Sequence, residues 1–354
     1  MNEAWSQTLD ELAELGELSP AWQPVFERVD RALFIPGRFW LHRPDSPPTC
    51  IDRADDPGAW KAVVYSDTPL LTKLDDAGGG ISSSSQPSIM AIMLGALDVQ
   101  ARHRVLEVGA GTGYNAALLA EHVGPEHVAT VEIDTEVAQA ARASLKTAGY
   151  EGVHVMDGDG AHPPAGPWDR LIATYAVDSL PPAWLTAVTP GGVIVAPWRN
   201  NLLEQAVVRL VVRADGTASG TLVAGCSFMS DRRAWTDSQS LPEGGETERT
   251  RIGPEYLEAV PLSMWLSRNL PDTLLYKGPG RIFLHRAETD SFAVLDMTGP
   301  DEDGSWEVRQ AGPCRLWDEL EASLHAWFDA GQAGLDTWQV TVDDDGSVRL
   351  HFER

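Results

Sequence analysis

Three groups of residues in this chain have the types and spacing to do chemistry. Gly109, Gly111 and Gly113 follow the apolar run Val105-Leu106-Glu107-Val108, and a helical pattern begins at Tyr114. Ala116, Leu119, Ala120 and Val123 share one face of that helix, and Gly124 stops it. Strand, glycine turn and helix open a nucleotide-binding βαβ unit, in which bare backbone approaches a ligand. Glu132 lies at the end of the next strand-like run, residues 128–133, about twenty positions further on, where a carboxylate accepts both ribose hydroxyls. A dinucleotide's diphosphate needs a third glycine, and Asn115 or Ala116 stands there instead. A nucleoside without phosphates fits better, which points to S-adenosylmethionine rather than NAD. Asp159, in Gly158-Asp159-Gly160 after a third strand, is placed to accept from an adenine amino group, although an Asp-Gly turn is an equally plain role. Glu107, Tyr114, Asn115, Ile133, Gly158 and Gly160 flank these residues and complete the expected cofactor site.

The third group is the serine run Ser82-Ser83-Ser84-Ser85, followed by Gln86-Pro87. On composition it reads as an idle polar loop. Its position argues for more, because a loop leading into the helix before the first core strand lies over the crevice at the strand ends. Methyl transfer from a sulfonium to a carboxylate needs no strong base, since a carboxyl of pKa about 3.9–4.3 is already ionised at neutral pH. What it needs is an oxygen held in line with the methyl group and shielded from water. Hydroxyls and backbone N–H groups suit that task, so Ser83, Ser84 and Ser85 are the catalytic candidates, Ser85 foremost. No Asn-Pro-Pro-Tyr-type motif for amide methylation is present, and no histidine pair has metal spacing.

These residues need a scaffold, and the patterning predicts one. Residues 1–40 read as helices, with Trp5, Leu9 and Leu12 on one face, and residues 41–60 read as a Pro- and Asp-rich connector. A helix is expected over 89–97, then strands at 105–108, 128–133, 153–156, 170–173 and 193–196 alternating with helices over 135–148 and 182–188. Strands alternating with helices imply a doubly wound α/β sheet, which an antiparallel hairpin (203–212 and 217–228) is expected to close. A polar linker is expected over 236–250. Beyond it lies an α+β extension with strands at 281–285, 291–296, 305–309, 337–342 and 347–352 and a helix over 315–330; with Trp235 just before the linker it carries six tryptophans. Those tryptophans would line a peptide groove or fill a core. The aspartate-rich segments 301–304 and 343–346 lack the distal glutamate of a calcium loop and read as hairpin turns. The expected division is therefore 1–65, an N-terminal helical segment; 66–235, the cofactor-binding domain; and 236–354, a substrate-recognition domain.

Composition excludes some function classes. The 354 residues carry a net charge of −25, spread along the chain rather than held in a tail, and such a surface repels phosphate backbones. Nucleic acid is not an expected partner, whereas a cationic or neutral peptide is. No apolar run reaches membrane-spanning length, and residues 1–20 lack a basic start followed by an apolar stretch, so neither membrane insertion nor secretion is expected. Cys50, Cys226 and Cys314 are few and far apart, which fits a reducing cytoplasm.

Taken together, the stretch from about Arg28 to Trp198 resembles the protein-L-isoaspartate (D-aspartate) O-methyltransferase family. Residues 28–36 look like its Pro-Arg…Phe-Val-Pro segment, and residues 105–117 match its Val-Leu-Glu-Ile-Gly-x-Gly-x-Gly-Tyr-x-x-Ala signature. Gly158-Asp159-Gly160, residues 167–172 and residues 190–197 match later blocks. The resemblance implies a class I (Rossmann-like) methyltransferase fold and S-adenosyl-L-methionine as methyl donor. The family carries Ile-Ser-Ala-Pro-His-Met beside the substrate carboxylate; placing Pro87 on that proline puts Ser85 on the serine and Ser88 on the histidine. The lost histidine, the longer serine run and the C-terminal extension are similar to an actinobacterial subgroup that acts in the maturation of lanthipeptides, lasso peptides or ester-crosslinked peptides (graspetides). There a normal aspartate is methylated, and the following amide nitrogen displaces methanol to give an aspartimide. The resemblance thus implies a carboxyl O-methyltransferase whose partner is a cyclised or crosslinked precursor peptide. The alternatives are repair of isoaspartyl damage in proteins and, further off, a peptide-binding module in which the scaffold is not catalytic. A dehydrogenase is disfavoured by the missing third glycine.

Overall fold

The computed structural model describes residues 2–43, 46–229, 244–278 and 280–352. Helix α1 (Glu3–Glu14) starts where the Asn2 side chain accepts from the N–H of Ala4, and it buries Trp5, Leu9 and Leu12, the face its spacing predicts. Helix α2 (Gln23–Arg28) follows. The connector expected over 41–60 is instead largely ordered structure. Strands β1 (Arg38–Arg43) and β2 (Ser46–Asp52) pair antiparallel, and α3 (Pro57–Val64) is capped by Asp56, which accepts from Gly58 and Ala59. Pro47 and Pro48 hide β2 from sequence reading; they are tolerated because β2 is an edge strand. Strands β3 (Leu70–Leu74) and β4 (Gly80–Ser84) complete a four-stranded sheet in the order β2-β1-β3-β4. The serine run is therefore mostly a β-strand and not a loop.

Helix α4 (Pro87–Leu97) leads into β5 (Val105–Val108), α5 (Tyr114–Val123), β6 (Val128–Glu132), α6 (Thr135–Thr147) and β7 (His154–Asp157). Then come β8 (Trp168–Ala173), α7 (Pro182–Ala187), β9 (Val188–Arg199), β10 (Gln205–Val212) and β11 (Ala218–Cys226). The strands β7-β6-β5-β8-β9 run parallel, and β10 and β11 add antiparallel beyond β9. Strand order reverses at β5, with β6 on one side and β8 on the other, so the crevice at the carboxyl end of β5 is the switch point where open α/β sheets bind ligands. Period-two alternation sets the two faces. Val105, Ile172, Val193 and Val195 pack with α4, α5 and the N-terminal helices; Leu106, Val108, Leu171, Ala173, Ile194 and Ala196 face α7 and the C-terminal extension.

The extension contains β12 (Glu246–Thr250), α8 (Val260–Asn269), β13 (Leu274–Gly278), β14 (Arg281–Arg286), β15 (Ser291–Asp296), β16 (Trp306–Ala311) and α9 (Leu316–Asp329). Its strands form an antiparallel sheet, β12-β16-β15-β14-β13. The linker expected over 236–250 lies outside the described residues up to 243, and its end is strand β12, with Trp235 also outside them. The last hairpin, β17 (Trp338–Val342) and β18 (Val348–Phe352), leaves this sheet and pairs with β11, Ala218 opposite Val342 and Thr221 opposite Gln339. The β10–β11 hairpin thus does not close the central sheet, which among the described residues has nine strands. The division expected at 65/66 and 235/236 is crossed twice, by β3 and β4 joining the N-terminal sheet and by β17 and β18 joining the central one. Trp265, Trp317, Trp327 and Trp338 are buried, so the aromatic residues of the extension serve mainly as core. Among the described residues no helix is long and apolar enough to cross a membrane.

Candidate active site

At the carboxyl end of β5 the backbone turns through Gly109 (φ +95°), Gly111 (φ +51°) and Gly113 (φ +84°), conformations open chiefly to glycine. Space is a second constraint. A Cβ on Gly109 would come 2.5 Å from Thr174 Oγ1, and one on Gly111 would come 3.0 Å from the carbonyl oxygen of Ser83. The glycine turn and the serine strand are therefore in direct contact, although about twenty residues separate Ser85 from the start of β5. Lys73, on the strand paired with β4, ties this sheet to the α6 N-terminus through Asp134 (2.9 Å) and Glu136 (2.8 Å).

Between the turn and the strand lies a cleft of about 1020 Å³, its open mouth included, roughly the upper size of a small-molecule site. Ser83, Ser84 and Ser85 all line it, as do Glu107, Gly109, Gly111, Tyr114, Asn115, Glu132, Ile133, Asp159 and Gly160. Two expected residues do not. Gly113 caps α5, where a Cβ would crowd Leu145 of α6, and Gly158 donates its N–H to the Glu132 carbonyl at 2.9 Å, so both shape the backbone from behind. Sequence reading missed Ser82, Thr174, Tyr175 and Met229, which also line the cleft. Thr174 and Tyr175 follow β8, and their place at the end of a core strand beside the switch point was the available signal. Met229 follows a strand far along the chain and had none.

The buried polar groups show what the cleft can hold. Glu107 is fully buried and accepts from Asn115 Nδ2 (2.7 Å) and Thr130 Oγ1 (2.6 Å). Burial pushes its carboxyl up to about 7, further raised by Glu132 and partly offset by those two hydrogen bonds. Asn115 Oδ1 and Tyr114 Oη are buried without a partner among the described residues, and both residues line the cleft. Glu132 accepts from the N–H of Gly111 (3.0 Å) and of Asp134 (3.1 Å), which fixes its carboxylate while leaving lone pairs open. Asp159 lines the cleft and also makes the expected turn, accepting from Ala161 N–H (2.9 Å), with His162 Nδ1 at 3.1 Å. Ile133 stands half exposed at the rim. An apolar wall, glycine backbone, fixed carboxylates and unpaired acceptors suit a nucleoside with a cationic arm.

A family model for protein-L-isoaspartate(D-aspartate) O-methyltransferase matches residues 49–233, more than half of the chain, and covers β4 together with the glycine turn. The chain belongs to that family. Its members are S-adenosylmethionine-dependent protein carboxyl O-methyltransferases of class I fold, and this chain is such an enzyme. It is 39% identical to the protein-L-isoaspartate O-methyltransferase of Ignicoccus hospitalis over 163 residues, 45% of this chain and 74% of that one. The Pyrococcus horikoshii enzyme is 30% identical over 230 residues, 64% of this chain and 92% of its own. A solved structure of a protein-L-isoaspartate O-methyltransferase superposes with a TM-score of 0.57 at 20% identity, covering 99% of this chain and 100% of that one. A second, from Plasmodium falciparum in complex with S-adenosyl-L-homocysteine, gives 0.50 at 16% identity, covering 65% and 98%. At these identities the superpositions bear on the fold alone. The methyltransferase resemblance read from the glycine turn is thus established at family level.

Proposed function

We propose that this cleft methylates a carboxylate on an aspartate-derived residue of a protein or peptide, and that the L-isoaspartyl linkage is its target. The observation that carries the reading is the seating of the serine strand on the glycine turn, with the Ser83 carbonyl 3.0 Å from where a Gly111 side chain would begin. The isoaspartyl preference is supported by the family match and by relatives named for that substrate.

S-adenosylmethionine, when bound, supplies a methyl group on a cationic sulfonium. Backbone at Gly109 and Gly111 would lie along it, Glu132 would take the ribose hydroxyls, Asp159 the adenine amino group, and Ile133 the adenine face. Glu107 and the free acceptor of Asn115 would face the cationic arm. Hydroxyl and backbone N–H groups of the Ser83–Ser85 segment would hold the substrate carboxylate and orient one oxygen toward the donor. No general base is required, because that carboxylate is ionised at neutral pH. Met90, Ile81 and Met229 line the cleft with apolar surface that limits water.

A second reading is favoured by one observation. Ser88 stands where the family segment has histidine, and it is buried in the first turn of α4 with its N–H donated to Asp67 (2.8 Å). Loss of that ring supports a normal aspartyl side chain in a ribosomally made, cyclised or crosslinked peptide, whose ester would close to an aspartimide; the extension from β12 to β18 would then contact the peptide. Mass spectrometry on an isoaspartyl peptide and its normal-aspartyl twin separates the two. Gain of a methyl group on the isoaspartyl peptide alone supports the first reading. Gain on the twin, followed by loss of methanol, supports the second. Methylation of neither removes both.

A further inference from the structure

The charged residues lining the cleft are Glu107, Glu132 and Asp159, and among the described residues no lysine or arginine lines it. Three acids suit a cationic donor but oppose the anionic substrate of the proposed function, on which the following rests. The counterweight lies directly behind the serine strand. Arg31 is fully buried. Its Nη1 donates to the carbonyls of Val64 (3.1 Å) and Ser66 (3.0 Å), and its Nη2 to the carbonyls of Thr68 (3.0 Å) and Ser85 (3.1 Å) and to Ser84 Oγ (3.3 Å). None of these partners is a carboxylate, and among the described residues Nε has no partner. Burial lowers its pKa to about 10, opposed by Tyr114 and Asp67, so it stays protonated at neutral pH. Asp67 itself is committed to Gln86 Nε2 (2.7 Å) and the N–H of Ser88 (2.8 Å).

The contact with Ser84 has a directional consequence. A hydroxyl carries one proton and two lone pairs. With Arg31 donating into one lone pair, the proton of Ser84 must point away from the guanidinium, and Ser84 lines the cleft. The grip on the Ser85 carbonyl fixes the peptide plane at the end of the run. We propose that Arg31 is a positioning residue for the substrate carboxylate: it turns the Ser84 hydroxyl into a donor toward the cleft and supplies the positive charge that offsets the three lining acids. It acts through the serine strand and does not touch the substrate.

The test compares wild type, Arg31→Lys, Arg31→Met, Ser84→Ala and the Arg31→Met/Ser84→Ala double variant. Each is assayed with S-adenosylmethionine and the peptide that the wild type methylates. Inhibition by a carboxylate analogue of the substrate that is not itself methylated, and by its neutral carboxamide counterpart, gives the charge preference of the substrate subsite. Wild type should favour the carboxylate by about tenfold, the scale of one charge-assisted hydrogen bond. Arg31→Met should lose that preference and raise KM more than it lowers kcat, while S-adenosylhomocysteine affinity by calorimetry stays within about twofold. Arg31→Lys should restore part of the preference, and Ser84→Ala should add little in the Arg31→Met background. A merely structural Arg31 would lower the melting temperature and leave the carboxylate preference of the folded fraction intact, which overturns the proposal. If Arg31→Met does not fold, Ser84→Ala decides alone: an unchanged preference refutes the relay. Absence of methyl transfer by wild type to either peptide counts against the proposed function instead.

Discussion

The cleft at the end of β5 and the C-terminal extension are both well packed, yet they are built on opposite plans. Around the cleft three glycines hold positive φ, and a carboxylate sits buried with neutral donors, Asn115 and Thr130, on its oxygens. In the extension large aromatic residues close on one another: Trp265 meets Trp338 (6.2 Å) and Phe352 (5.3 Å) edge to face, and Trp338 and Phe352 pack tilted at 5.6 Å. Trp317 and Trp338 also lack partners for their indole N–H, but those donors lie in a filled core, whereas Asn115 Oδ1 and Tyr114 Oη belong to residues on a cavity wall. The contrast teaches that one region spends stability on a place for ligands and the other supplies it. Substitutions should therefore separate cleanly into those that weaken binding and those that weaken the fold.

The strongest contrast should come from the core. Trp317→Ala is expected to lower folding stability by about 3–5 kcal/mol, the usual cost of deleting a buried tryptophan, while S-adenosylhomocysteine affinity in the folded protein is unchanged; denaturant titration and calorimetry read the two halves. Gly109→Ala should act mainly on binding: positive φ and the nearby Thr174 hydroxyl add about 1–3 kcal/mol of strain, a smaller loss of stability than at Trp317, and displace the turn. Donor affinity should fall at least about tenfold, read by the same calorimetry.

Glu107 tests the comparison through pH. Its folded pKa of about 7 lies above the ordinary 4.5, so the folded state binds its proton more tightly than the unfolded one. The associated stability is fully present below pH 4.5 and is lost as pH rises through about 7, a change on the order of 3 kcal/mol. Denaturation across that window should show the loss in the donor-free protein, and Glu107→Gln should flatten it. The smallest effect is expected at Ser85→Ala, about 1 kcal/mol in peptide binding, read as a several-fold rise in KM. An unchanged KM and kcat removes Ser85 from the substrate site.

Much of this plan is legible in the chain. The glycine turn, the parallel strands at 105–108, 128–132 and 168–173, and the helix over 135–147 announce themselves by local period and by caps such as Asp134, which accepts from Glu136 and Val137. What stays hidden has physical reasons. In β4 the residues 82–84 are all serine, so the alternation that marks a strand cannot appear, and register comes only from pairing with β3. Strand β2 carries two prolines that read as connector. The pairing of β17 with β11 joins residues more than a hundred positions apart, and no local pattern encodes that. Arg31, one cation inside Val29-Asp30-Arg31-Ala32-Leu33-Phe34, gave a visible but ambiguous signal, because a partly exposed helix turn reads the same way.

The central claim is that the serine strand presents a peptide carboxylate to a donor lying on the glycine turn. A crystal structure with S-adenosylhomocysteine and a substrate peptide tests it most directly. The expected result places the thioether sulfur beside Gly109 and Gly111, with the peptide carboxylate within hydrogen-bond distance of at least one hydroxyl of the Ser83–Ser85 segment. A peptide carboxylate bound elsewhere, with those hydroxyls making no contact to it, would contradict the account.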